Sequence, residues 1–93
     1  MINRKIIKIR EKLDKLDNQL LDIIKKRSSL VDQVLKSKKY KKEIVDKKRI
    51  KTILQRIKKK SIQKKIDWKI THQIWNNMIN AFIKYEYRNF KKK

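Results

Sequence analysis

The stretch from Ile6 to Lys38, IIKIREKLDKLDNQLLDIIKKRSSLVDQVLKSK, decides the fold of this chain. Its apolar residues recur at steps of three, four or seven, which is the spacing of one face of an α-helix. The main stripe consists of Ile6, Leu13, Leu20, Ile24, Val31 and Val34, and Ile9, Leu16, Ile23 and Leu30 widen it. This pattern predicts one very long helix over about 3–38, roughly 50 Å in length at 1.5 Å per residue.

Such a helix is longer than the globule that 93 residues can form. A compact chain of this length has a radius of gyration near 12 Å and is about 30 to 35 Å across. An isolated monomer of this size would also bury only about 60% of the surface that its unfolded form exposes. We therefore expect a second chain to cover part of the apolar stripe.

A short second helix is predicted after a lysine-rich loop. The segment 37–45 breaks the apolar rhythm, and Asp46 then offers the side chain of a helix N-cap. Val45 before the cap and Ile50 four residues after it have the spacing of a hydrophobic staple. We expect this helix to run over about 46–60.

A third helix of medium length completes the predicted fold. Residues 61–66 are expected to form a basic connection, and Asp67 is the next candidate N-cap, opening a helix over about 67–89. The absence of Gly and Pro removes most of the turn chemistry of hairpins. The sequence thus predicts an all-α chain of three helices forming a single domain over 1–93.

The net charge of +21 raises the question of a polyanionic partner. The excess is carried by Lys rather than Arg and comes with many Ile and Asn residues, so we interpret it as a solvated coat. We expect no nucleic-acid partner, and a basic helical nucleic-acid-binding module remains the alternative. The chain has no Cys, so we expect no disulfide and no thiolate metal site. It also has no apolar run of about 20 residues, so we expect no membrane span and a cytoplasmic location.

Charged residues interrupt the core stripe of the first helix. Following the stripe by steps of three and four passes Arg10, Asp17, Arg27 and Lys38. A buried cation without compensation is costly, so each should meet a carboxylate of the protein or of a ligand. These long side chains could instead reach the surface or pair with Asp17. Three cations with one acid among them favour a site for an anion.

Geometry predicts that this site is shared between two chains. Arg10 and Arg27 are 17 residues apart, about 25 Å along a helix, so one small ligand cannot touch both on the same helix. If two copies pair antiparallel, Arg10 of one chain approaches Arg27 of the other. We therefore expect a site that is shared between two chains.

Three segments carry a resemblance to a known family. Residues 9–27 read IREKLDKLDNQLLDIIKKR, residues 45–49 read VDKKR, and residues 74–86 read IWNNMINAFIKYE. Together they resemble the all-helical chorismate mutases, whose three helices carry an Arg before I/L-D-x-L-D-x-x-L-L-x-L-L, then V-x-D-x-x-R-E, then I/L-F-x-x-I-I-x-x-S-x-x-x-Q/E. The resemblance implies an intertwined antiparallel homodimer of three-helix chains.

The resemblance also implies the roles of the charged residues. Arg10 of the neighbouring chain, with Arg27 and Lys38, would hold the two carboxylates of chorismate, and Lys38 and Glu86 would bracket the ether oxygen. The reaction is the rearrangement of chorismate to prephenate, a step of shikimate-derived aromatic amino acid biosynthesis. It is intramolecular and pericyclic, so the resemblance implies no metal and no cofactor. Catalysis comes from the conformation imposed on the substrate and from placed charge.

Four further positions complete the expected site. The resemblance places Asp46 near the ring hydroxyl of the substrate, with Arg49 beside it. The chain departs from the family at Ile50, where the family usually has Glu, and at Phe82, where it has a small hydroxyl residue. An apolar Ile50 keeps open a related activity on the same fold, elimination of pyruvate from isochorismate.

Overall fold

A computed structural model describes residues 3–91 of the chain. Within that range the protein is all-helical, with no strand, which confirms the predicted fold class of three helices. The elements are helix α1 (Arg4–Ser37), a 3₁₀ turn (Lys41–Glu43), helix α2 (Lys47–Gln63) and helix α3 (Trp68–Asn89). Residues 1, 2, 92 and 93 lie outside the described range. The predicted single domain over 1–93 stays a prediction. The chain divides into two compact units, 1–31 and 32–93.

The first unit contains most of α1 and no other helix. Asn3 caps its start, because its Oδ1 accepts a hydrogen bond of 2.9 Å from the backbone N–H of Ile6. The apolar stripe is strongly exposed, since Leu13, Leu16 and Leu20 keep between 52% and 58% of their surface accessible. None of the described helices is both long and apolar enough to cross a membrane.

The second unit is organised by the packing of α2 on α3. Its buried apolar residues are Leu35 near the end of α1, Ile44 after the 3₁₀ turn, and Ile79 in the middle of α3. A buried hydrogen bond of 2.8 Å also joins the hydroxyl oxygens of Ser61 and Thr71. Leu35 lies three residues before Lys38, which follows α1, and Ile79 lies on the same helix as Glu86, so this core supports the segments that carry both residues.

Both predicted aspartate caps are present in this unit. Oδ1 of Asp46 accepts from the backbone N–H of Arg49 at 2.9 Å, and Oδ1 of Asp67 accepts from that of Lys69 at 2.9 Å. Each carboxylate thereby satisfies one of the N–H groups that a helix leaves unpaired at its start. The two caps fix the first residues of α2 and α3.

The second helix is longer than the sequence predicts. We expected it to end near Lys60, but α2 continues to Gln63, so part of the predicted connection is helical. It ends in a Schellman motif: the N–H of Ile66 donates to the carbonyl of Ser61 at 2.8 Å, and the N–H of Lys65 donates to that of Ile62 at 3.1 Å. Lys65 supplies the left-handed residue, with φ of 59°, a place that glycine usually occupies.

Candidate active site

Lys38 and Glu86 form a partly buried ion pair. Lys38 directly follows the last residue of α1, and its backbone N–H donates to the carbonyl of Leu35 at 3.1 Å. Its Nζ donates to Oε1 of Glu86, on the last turns of α3, at 2.9 Å. The side chain of Lys38 is 18% exposed and that of Glu86 is 9% exposed. The fold thus brings together two expected site residues that are 48 positions apart in sequence.

An open cavity lies beside Lys38. Its volume of about 720 Å³ is within the range of small-molecule sites. The residues around it come from the end of α1, the following loop and the start of α2: Val34, Ser37, Lys38, Glu43, Val45, Asp46 and Lys47. It therefore combines an apolar wall with ionisable groups of both signs.

Asp46 lines this cavity and also starts α2. Its Oδ1 is engaged by the N–H of Arg49, and its carbonyl accepts from the N–H of Ile50 at 3.0 Å. The side chain of Arg49 is exposed, whereas Ile50 is half-buried. The helix start therefore holds the Asp46 carboxylate at the edge of the cavity.

Glu43 is a site feature that the sequence analysis missed. Its Oε2 accepts from the backbone N–H groups of Lys39 at 2.7 Å and Tyr40 at 2.9 Å. The hydrogen bond from Tyr40 is the main reason that the pKa of Glu43 lies below its ordinary value, and the bond from Lys39 and the charges of Lys38 and Lys39 add to it against an opposing desolvation. Glu43 thus stays ionised and shapes the loop after Lys38. The available signal was that it is the only acid in segment 37–45.

The remaining expected site residues differ in exposure. Phe82 is half-buried on α3, one turn before Glu86. Arg27 is half-buried and its Nε atom is covered from solvent, whereas Arg10 is exposed. Both arginines belong to the first unit. Their position relative to Lys38 therefore stays a prediction.

A second missed contact lies next to Glu86. The hydroxyl of Tyr85 donates to Oδ1 of Asp32, on α1, at 2.5 Å. This hydrogen bond is the main cause that raises the pKa of Tyr85, followed by desolvation and the charge of Asp32, while Arg88 opposes the rise. The two residues are 53 positions apart in sequence, and no local sequence pattern predicts their contact.

Comparisons with known proteins give one match. The family model described as chorismate mutase type II matches residues 9–87, which cover nearly the whole of the three helices. Neither the comparison with curated proteins nor that with solved structures gives a match. Because the matched segment is far more than half of the chain, this protein belongs to the chorismate mutase type II family.

Proposed function

We propose that this protein catalyses the rearrangement of chorismate to prephenate, without a cofactor or a metal. The observation that carries the proposal is the Lys38–Glu86 pair, 2.9 Å apart and largely shielded from solvent, with Lys38 also lining an open cavity. Family membership supports the same substrate. Such a site offers a cation and an acidic group at one point, which is what this reaction uses.

The chemistry needs placed charge more than reactive groups. In the rearrangement the ether C–O bond breaks while a C–C bond forms within the same molecule, and negative charge develops on the ether oxygen. The ammonium of Lys38 stabilises that charge, and Glu86, which accepts from the ammonium at 2.9 Å, lies beside the same oxygen. Holding the flexible substrate in a reactive conformer supplies the rest of the acceleration.

Arginines bind the substrate carboxylates in this proposal. Arg27 and the partner chain's copy of Arg10 are suited to this because a guanidinium holds a carboxylate with two parallel hydrogen bonds. Asp46, at the edge of the cavity, lies near the ring hydroxyl, and Arg49 helps to order that side. The departures at Ile50 and Phe82 lower the catalytic efficiency, because one removes an acceptor and the other crowds a carboxylate.

The proposed assembly is an antiparallel homodimer that works in the cytoplasm. Its support is the apolar stripe of α1, on which Leu13, Leu20 and Leu30 are each more than half exposed. Contiguous apolar surface on this scale marks an interaction surface in proteins. A second α1 laid against it would cover the stripe and bring Arg10 of one chain toward Arg27 of the other.

The proposal is tested by incubating the purified protein with chorismate and following the loss of its ultraviolet absorbance. We expect turnover in the native protein, its loss in Lys38→Met, and its retention in the matched variant Lys39→Met, which removes an exposed neighbouring lysine. Release of pyruvate from isochorismate without turnover of chorismate would assign the lyase activity instead. No turnover of either compound, combined with tight and steeply salt-dependent binding of nucleic acid, would favour the basic module.

A further inference from the structure

Two consecutive residues of α3 each bind a different side chain at the end of α1. Tyr85 donates to Asp32 at 2.5 Å, and Glu86 accepts from Lys38 at 2.9 Å. All four residues lie in the second compact unit. The two links therefore join the same two segments of the protein.

The links are spread along α1 but converge on α3. Asp32 lies three residues before the buried Leu35, and Lys38 lies three residues after it. Their Cα atoms are therefore about 9 Å apart along the axis of α1. Their partners on α3 are adjacent in sequence. A rotation or slide of the last turns of α3 against α1 that keeps one link must therefore strain the other.

Side-chain contacts do much to hold the end of α1 against the last turns of α3. Within the second unit the main helix packing is between α2 and α3. The end of α1 is joined to the last turns of α3 through the two links beside Leu35. The orientation of the Glu86 carboxyl thus depends on what holds its sequence neighbour in place.

We propose that Tyr85 and Asp32 are positioning residues that set the orientation of Glu86 toward Lys38. This inference rests on the proposed function, since it names what aligns the two groups placed at the ether oxygen. Neither residue touches the substrate. A hydrogen bond from a hydroxyl to a carboxylate is short and directional, which suits this task. Because the pKa of Tyr85 is raised, its hydroxyl remains a donor throughout the neutral range.

Kinetics of four variants test the proposal. Tyr85→Phe removes the donor, and we expect kcat to fall about tenfold with KM changed less than about twofold, because orientation and not carboxylate binding is lost. Asp32→Ala should behave alike, and the double variant should be no worse than either single one. Asp32→Asn keeps an acceptor oxygen and should retain most of the native kcat. Tyr87→Phe makes the same chemical change at an exposed tyrosine of α3 and should leave kcat unchanged.

A readout independent of turnover separates this inference from the proposed function. The chain has only three glutamates, Glu11, Glu43 and Glu86, so carboxyl-labelled glutamate gives three resolvable NMR signals, and Glu86→Gln assigns one of them. We expect the Glu86 signal to move in Tyr85→Phe and to stay in Tyr87→Phe. A shift in a protein without chorismate turnover would keep the positioning role and refute the proposed function. Turnover with an unmoved signal and an unchanged kcat in a folded Tyr85→Phe would overturn the positioning role.

Discussion

Replacing Lys38 with Met leaves the carboxylate of Glu86 in a largely buried place without its cation. Removing one partner of a fully buried ion pair costs about 3 to 5 kcal/mol, whereas exposed pairs contribute about 0 to 1 kcal/mol. The exposed fractions of 18% for Lys38 and 9% for Glu86 place this pair nearer to the buried limit. We therefore expect the free energy of unfolding to fall by about 2 to 3 kcal/mol in Lys38→Met.

The double variant Lys38→Met with Glu86→Met gives the decisive comparison. Two apolar side chains of similar size bring no desolvation cost, and such replacements of buried pairs are often neutral or stabilising. We expect the double variant to regain the native free energy of unfolding to within about 1 kcal/mol. Both variants should be inactive on chorismate, because the charges serve the reaction and not the fold.

Urea denaturation at one fixed protein concentration measures these differences, with an unchanged m-value as the control for a comparable unfolding transition. Lys39→Met serves as the matched exposed substitution and should stay within about 0.5 kcal/mol of the native protein. If the double variant were destabilised as much as Lys38→Met, the ion pair would be a net source of stability compared with two apolar side chains. The reasoning that it is kept for chemistry would then be refuted.

Four other predictions concern the assembly, the reaction and the loops. Inactive Arg10→Ala and Arg27→Ala proteins, refolded together, should regain part of the native activity, because the mixed dimer contains one intact site; proven mixed dimers without activity would contradict a shared site. Glu86→Gln should retain activity, since its amide oxygen still accepts from Lys38 while its amide N–H donates to the ether oxygen; a folded but inactive Glu86→Gln would contradict this role. The pKa of Glu43 in the folded protein lies below its ordinary value of 4.5, so its ionised carboxylate stabilises the fold at pH values above 4.5. The native protein should therefore lose its stability advantage over Glu43→Gln as pH falls below 4.5, and an advantage that grows on acidification would exclude the loop contact. Lys65→Gly should raise the free energy of unfolding by about 1 kcal/mol in urea, because glycine adopts φ of 59° without strain, and a loss of stability would show that the lysine has another role.

Much of the fold follows from local sequence signals. The apolar stripe of α1 and the caps at Asp46 and Asp67 act within one turn of a helix, so their effect is readable without tertiary structure. The end of α2 was not readable in this way. Glycine is the usual sequence signal for a left-handed residue at the end of a helix, but here Lys65 occupies that position in a chain that has no glycine.

Only part of the candidate site could be predicted from the sequence. The expectation that Lys38 and Glu86 act together came from the family resemblance, and their ion pair joins residues that no local pattern relates. Neither the local sequence pattern nor the family resemblance predicts the contact between Tyr85 and Asp32, because it depends on how the last turns of α3 meet α1. Contacts of this kind are set by tertiary packing, which no short sequence pattern encodes.

The bare apolar stripe of α1 has a consequence for how much of this protein is folded in a cell. If a second copy covers residues such as Leu13 and Leu20, folding and association become a single equilibrium. Each tenfold dilution then shifts that equilibrium by about 1.4 kcal/mol toward separated chains. The level of expression would accordingly set the fraction of chains that are folded, as well as the number of sites.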